Sequence, residues 1–436
     1  MNRLAWIGML GIIIFTLIPF LKRDNRTEKA IKQAIMTITI VLGIIVAVLV
    51  FGVSYVTAFL IGFLLLIVFD KKTYTKKGLL IYGSIILVLG IASYAVFRDN
   101  PEYVLNHVQE NPDSTSFYLA ENGEELITYE ADVVRPLAST VKMLIAVEYA
   151  MQIDEGSLDK DSSVSLDDVN RYYFKNTDGH AHEDWLSILE SEGEIKNNEV
   201  ALHDVVKGMV TYSSNANTDY LIDLLGIDAI NERAETLGLT QHEDVYPIVS
   251  ALLIPTYIES ASEDEKQLIK EIEALSMDEY RSLAIGLSKE MKVGTIKIEE
   301  ETSDSSLAVQ RVWSDRLIGA SASDYGTLLA VISNDELSET AAETVRDVLE
   351  WPLRFHEEKQ ERFAHFGAKG GSTAFVLNNA LYAEDHDGNQ IEMVLLTDDL
   401  NFWNSMLLRQ NMNSFETKLL ENEAYRQKVQ EEFIDL

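Results

Sequence analysis

Ser139-Thr140-Val141-Lys142 sets a hydroxyl and an amine three residues apart. On a helix, positions i and i+3 share a face. A lysine there can take the serine's proton if burial or a nearby positive charge lowers its pKa. The serine oxygen then becomes a nucleophile for acyl transfer. By itself the tetrad is weak, because two such common residue types meet at this spacing about once by chance in a chain this long. An isolated serine at a helix start is more often an ordinary N-cap. Two later segments change its weight: Ser213-Ser214-Asn215, and then Lys369-Gly370-Gly371-Ser372. Together they offer a second hydroxyl, an amide and a second amine. His180 and His182 form an H-x-H, but no third ligand accompanies them, and a solvated loop is the expectation there.

The surrounding pattern predicts the elements that must carry these groups. Phe117–Ala120 and Glu125–Tyr129 flank Glu121-Asn122-Gly123-Glu124, and Asn-Gly between strand-like runs marks a hairpin. Pro136 precedes the Ser139 helix, whose apolar residues lie on several faces and predict burial on most sides. Residues 153–200 read as polar and loop-rich. Helices are expected over Val200–Met209 and Asn217–Leu225. Residues 258–292 read as an acidic helical insertion. Ser321-Ala322-Ser323-Asp324 reads as a capping box before a helix over 322–333. Ala374–Ala383 and Gln390–Thr397 read as strands, and the last 35 residues as charged helix. Strands, then many helices, then strands predicts an α+β domain with an antiparallel sheet.

The chain's ends differ sharply in composition. Residues 1–98 hold 11 Lys/Arg against 3 Asp/Glu, a net +8, whereas the whole 436-residue chain is −34. Residues 99–436 therefore carry −42. An acidic part of about 340 residues can bury a full core, and its charge argues against nucleic-acid binding. There is no cysteine, which removes disulfides, thiolate metal sites and cysteine nucleophiles.

Leu4–Leu21 is apolar for 18 residues and Ala34–Phe69 for 36. The second run would make a helix roughly 54 Å long against a hydrocarbon core of about 30 Å, so it reads as two spans joined near Gly52-Val53-Ser54-Tyr55. Leu79–Phe97 makes a fourth. Lys22, Arg23, Arg26, Lys29 and Lys32 lie between spans one and two, and Lys71, Lys72, Lys76 and Lys77 between spans three and four. Both loops are expected in the cytoplasm. The N-terminus and everything after Phe97 are then expected outside. No charged residue or histidine lies inside a span, so the region reads as an anchor with a docking surface for a membrane-protein partner. Residues 99–115 read as a linker.

In order and in context, Ser139-x-x-Lys142, Ser213-Ser214-Asn215 and Lys369-Gly370-Gly371-Ser372 resemble the S-x-x-K, S-D-N and K-T-G set of the class A β-lactamases and penicillin-binding proteins. The resemblance covers roughly residues 115–425. Gly367–Thr373 looks like the start of that family's inner strand. The resemblance implies a domain in which an antiparallel sheet is flanked by helices, with an all-helical subdomain. It implies that Ser139 is the nucleophile and Lys142 its base, or an electrostatic partner of that base. Ser213 would relay a proton to the leaving group, and Asn215 would hold Lys142 and a substrate amide. Lys369 would stabilise negative charge and bind a substrate carboxylate, and Gly371 would allow close approach. The backbone N–H groups of Ser139 and Ser372 would form the oxyanion hole. Tyr172, Tyr173 and Trp185 lie where the family sets an aromatic residue at the cleft edge.

The departures are specific. Ser214 replaces the middle aspartate. Gly370 replaces a hydroxyl residue that helps hold a substrate carboxylate. Spacing between the motifs is longer than in compact members. No E-x-x-L-N follows the second motif, and Glu243 is the nearest acidic candidate by order for the deacylating base. The expectation is a multi-pass cell-membrane protein with an extracellular serine hydrolase domain over 116–436. It would need no cofactor or metal, and would act on a β-lactam, a peptidoglycan peptide or another amide or ester. The alternative is a non-enzymatic or slowly acylating penicillin-binding sensor or scaffold of the envelope.

Overall fold

Asn122 and Gly123 both take positive φ, 53° and 80°, as a two-residue hairpin turn requires. They join β1 (Thr115–Glu121) to β2 (Glu124–Tyr129), the expected hairpin. The computed structural model describes residues 98–175, 177–259, 264–296, 306–334 and 336–434. The four expected spans lie outside these residues. No described helix is long and apolar enough to cross a membrane.

The hairpin is one end of a five-stranded antiparallel sheet in the order β2-β1-β9-β8-β7. The other three strands are β7 (Phe363–Ser372), β8 (Leu377–Asp385) and β9 (Gln390–Thr397). Two-residue alternation sends its side chains into separate cores. Phe117, Leu119, Leu381, Met393 and Leu395 face one side. There they meet α1 (Glu102–Glu110), α11 (Phe402–Glu421) and α12 (Glu423–Ile434). Tyr118, Ala120, Tyr382, Val394 and Leu396 face the other side and join the larger core with the remaining helices.

Residues 99–115 are not a linker. Val104, Leu105 and Val108 of α1 are buried against the sheet, an i, i+1, i+4 stripe that pins the segment to the domain. Lys369 also sits later in its strand than expected. β7 begins at Phe363, because Phe363, Phe366 and Ala368 anchor it in the outer core, so the motif falls at its C-terminal end. β8 begins at Leu377 rather than Ala374.

The larger core is mostly helical. Short strands also appear, among them β3 (Arg135–Pro136), β4 (Ser163–Ser165) and β5 (Glu199–Ala201). Its helices include α2 (Lys142–Asp154), α3 (Ala181–Glu192) and α4 (Asn215–Leu225). They continue with α5 (Ile248–Glu259), α6 (Glu265–Ala274) and α7 (Met277–Lys292). α8 (Leu307–Ser314), β6 (Gly319–Ala320), α9 (Ala322–Ser333) and α10 (Glu339–Leu349) follow. The capping box forms as expected before α9, with Ser321 and Asp324 bonding reciprocally. The polar stretch 153–200 is more ordered than its composition implies, because Trp185 of α3 is fully buried. α2 is buried along most of its length, from Lys142 to Ala150.

Candidate active site

Ser139 lies in a tight 3-10 turn, Ala138–Val141, that leads straight into α2. Ala138, just before it, has φ 49°, a strained left-handed value for a residue with a Cβ. The surroundings hold that strain in place. Asn378 of β8 donates from Nδ2 to the carbonyls of Pro136 (2.7 Å) and Leu137 (3.1 Å). β3 pairs with β6. The buried Arg135 guanidinium donates to Ser116 Oγ and to the carbonyls of Pro112, Asp113 and Thr115. The nucleophile turn is thereby tied to the sheet and to the helical subdomain at once.

Lys142 is wholly buried. Its Nζ donates to the Ser213 carbonyl (2.6 Å), Asn215 Oδ1 (2.8 Å) and Ser213 Oγ (3.2 Å). Burial, and then the nearby charge of Lys369, hold its pKa well below the usual lysine range. Lys369 donates to the same Ser213 Oγ (3.0 Å) and to the Gly370 carbonyl (3.0 Å). Burial pushes its pKa down to about 7. Two amines sharing one hydroxyl in a dry site cannot both hold a proton cheaply, so one of them is available as a base. Ser213 sits between them in the left-handed region, φ 69°.

Gly371 explains why β7 can come so close. A Cβ there would lie 2.4 Å from the Leu137 carbonyl oxygen, 2.7 Å from Thr140 Oγ1 and 2.9 Å from Ser139 N. Gly370 has no such demand. A Cβ on it would meet only Asn378 O at 3.5 Å and Asn379 Oδ1 at 3.7 Å. Position 370 lines a separate groove of about 1110 Å³. The Ser139 cleft has a volume of about 420 Å³ and is lined by Ser139, Ser213, Asn215 and Ser372, and also by Asp178, Trp313 and others. Ile248, Leu252, Trp313 and Leu317 give it one apolar wall. The buried Asp219 holds that wall, accepting the N–H groups of Ile248 (2.6 Å), Val249 (2.8 Å) and Ser250 (3.3 Å) at the start of α5.

Several expected assignments do not fit this geometry. Glu243 does not line the cleft. Its carboxylate accepts the Gly319 N–H (3.1 Å) and pairs with Arg281 (3.2 Å), so it braces β6 instead of facing Ser139. Tyr172 and Trp185 are buried in the core. Tyr173 stacks on His182 at 4.5 Å. Among the described residues, the aromatic side chain lining the cleft is Trp313, whose position in α8 carries no sequence signal. His182 is not in a solvated loop either. It is buried, with Nε2 hydrogen-bonded to Asn170 Oδ1 (2.8 Å) and Nδ1 to the Ser214 hydroxyl (3.0 Å). Burial pushes its pKa down to about 4, so it stays neutral and buttresses the loop that carries Ser213 and Asn215. Ser214 thus supports the motif from behind. His180 is exposed and pairs with Glu183.

The arrangement can deprotonate a serine, neutralise an oxyanion and return a proton to a leaving group. No curated protein sequence matches the chain. Among solved structures, a beta-lactamase from Chitinophaga pinensis is 13% identical with a TM-score of 0.45, over 73% of this chain and 99% of its own. A class A beta-lactamase from Bacteroides cellulosilyticus is 12% identical with a TM-score of 0.42, over 73% and 100%. The structure titled PBP-A is 16% identical with a TM-score of 0.42, over 73% and 96%. The model of the beta-lactamase enzyme family matches residues 102–412, which is well over half the chain. The chain therefore belongs to the beta-lactamase enzyme family, as a serine hydrolase that works by acyl transfer.

Proposed function

We propose that this protein is anchored in the cell membrane by its N-terminal spans and carries its hydrolase domain on the extracellular side. There Ser139 attacks an amide, lactam or ester carbonyl of an envelope peptide or a β-lactam. Lys142 takes the Ser139 proton, and Ser213 passes a proton to the leaving group under the charge of Lys369. Asn215 and the backbone N–H groups of Ser139 and Ser372 hold the substrate carbonyl and its amide. The observation that carries this reading is the meeting of Lys142 and Lys369 on one hydroxyl, Ser213 Oγ, at 3.2 Å and 3.0 Å, beside Ser139. Structural lysines gain nothing from sharing a buried site, since each raises the other's desolvation cost. A proton relay needs that proximity.

The test is covalent capture. The purified full-length chain is expected to take up a fluorescent penicillin or the acetyl group of p-nitrophenyl acetate on Ser139, seen by intact mass. Ser139→Ala is expected to take up neither. Equal labelling of both proteins would exclude Ser139 as nucleophile. Penicillin uptake that is never released would favour the sensor reading, for which Glu243's commitment to Arg281 and Gly319 is the supporting observation.

A further inference from the structure

An acyl-enzyme is a trap unless something activates the water that opens it. Glu243 is engaged elsewhere. Among the described residues that line the Ser139 cleft, one carboxylate is present: Asp178. It lies on the loop before α3, where Gly179 and His180 take consecutive left-handed φ values of 67° and 75°. That turn carries the aspartate onto the cleft wall with Thr177 and Gly179. Its Oδ2 accepts the His182 N–H at 3.2 Å, which fixes the side chain to the start of α3. Its Oδ1 is buried, and the Asn215 backbone N–H acts on the carboxylate from the Ser213 motif. Burial also raises its pKa, with the Lys142 charge pulling the other way, so it is a stronger base than a solvated aspartate.

We propose that Asp178 is the general base that activates water to release the acyl group from Ser139. This assignment rests on the acyl-transfer reading above. In the step, the oxygen of water bonds to the ester carbonyl carbon while Asp178 takes one water proton. The tetrahedral adduct then breaks its bond to Ser139 Oγ, and the proton held by Asp178 passes to that oxygen. Water's oxygen and one hydrogen end on the product acid, and its other hydrogen ends on the serine. The base would thus come from a loop that precedes the Ser213 motif, not from the segment after it.

The test separates acylation from release. The full-length wild type and Asp178→Asn are mixed with fluorescent penicillin and, separately, with p-nitrophenyl acetate, and the Ser139 adduct is followed by intact mass. Asp178→Asn is expected to acylate within about twofold of wild type and to release the adduct at least ~100-fold more slowly. Hydroxylamine, a better nucleophile than water, is expected to discharge the stalled adduct. Release from Asp178→Asn at the wild-type rate would reduce Asp178 to a helix cap and overturn the proposal. So would an Asp178→Asn protein that is folded but cannot acylate. A wild type that is acylated and never released overturns the Asp178 assignment while leaving Ser139 intact. A wild type that takes neither probe overturns the acyl-transfer reading, and the assignment with it. Should Asp178→Asn lose its fold by circular dichroism, Asp178→Ser takes its place, because serine keeps an acceptor for the His182 N–H.

Discussion

In the proposed mechanism Lys142 and Lys369 have different tasks although both reach Ser213 Oγ. Lys142 must be neutral to take a proton, and its burial favours that form. Lys369 must be charged to hold an anionic group, and its pKa of about 7 makes that charge conditional. Below about 7 the ammonium is present, and above it the ammonium is lost. For a carboxylate-bearing penicillin, KM is therefore expected to rise as pH climbs through about 7. Lys369→Arg keeps its charge throughout, so its KM is expected to be higher at low pH but flat across the same interval. A wild-type KM that does not change between about pH 6 and about pH 8 would contradict the role given to Lys369. At this scale, Ser139, Lys142, Ser213, Asn215 and Lys369 were legible because their types recur in a fixed order. Asp178 and Trp313 were not, because a single Asp or Trp in a loop or short helix has no spacing to mark it. Glu243 was assigned by chain order alone, and Arg281, 38 positions away, claims it.

Elements bring the groups together only where backbones can approach. Gly371 is the contact point between β7 and the nucleophile turn. Gly371→Ala places a Cβ against the Leu137 carbonyl and Ser139 N, and neither can swing aside as a flexible side chain would. The strand must retreat. Acylation of Ser139 by p-nitrophenyl acetate is expected to fall by about 100-fold, since a displacement near 1 Å at a reacting centre costs that much. An alanine variant that acylates normally would show that the close approach is not needed. Asp219 acts between helices. Removing it as Asp219→Ala orphans three N–H groups at the start of α5. The expected loss of stability is about 3 kcal/mol in urea titration, together with weaker binding at the apolar wall formed by Ile248 and Leu252. A loss below about 0.5 kcal/mol would mean that those N–H groups find other acceptors. The hairpin at Asn122-Gly123 and the capping box at Ser321 were readable in advance, because both are local contracts between neighbours. The start of β7 was not. Its early residues, Phe363 and Phe366, are separated from the charged stretch before them only by their packing on the outer core.

For the whole molecule, the contrast between a basic N-terminal 98 residues and an acidic remainder sets the expected topology. Protease added to intact cells is expected to remove the domain over residues 99–436, and cytoplasmic markers should survive the same treatment. Full protection of that domain would contradict the extracellular reading. The amino-acid sequence by itself determined the family, the order of the three motifs and the nature of the nucleophile, because these depend on residue types at short range. It also determined that an antiparallel sheet would be surrounded by helices, through two-residue and helical periodicities. Only the tertiary structure decided which carboxylate shares the cleft with Ser139, which aromatic side chain walls it, and that residues 99–115 belong to the domain. Those outcomes depend on contacts between segments far apart in the chain, where burial and geometry select the partner and no local pattern announces it.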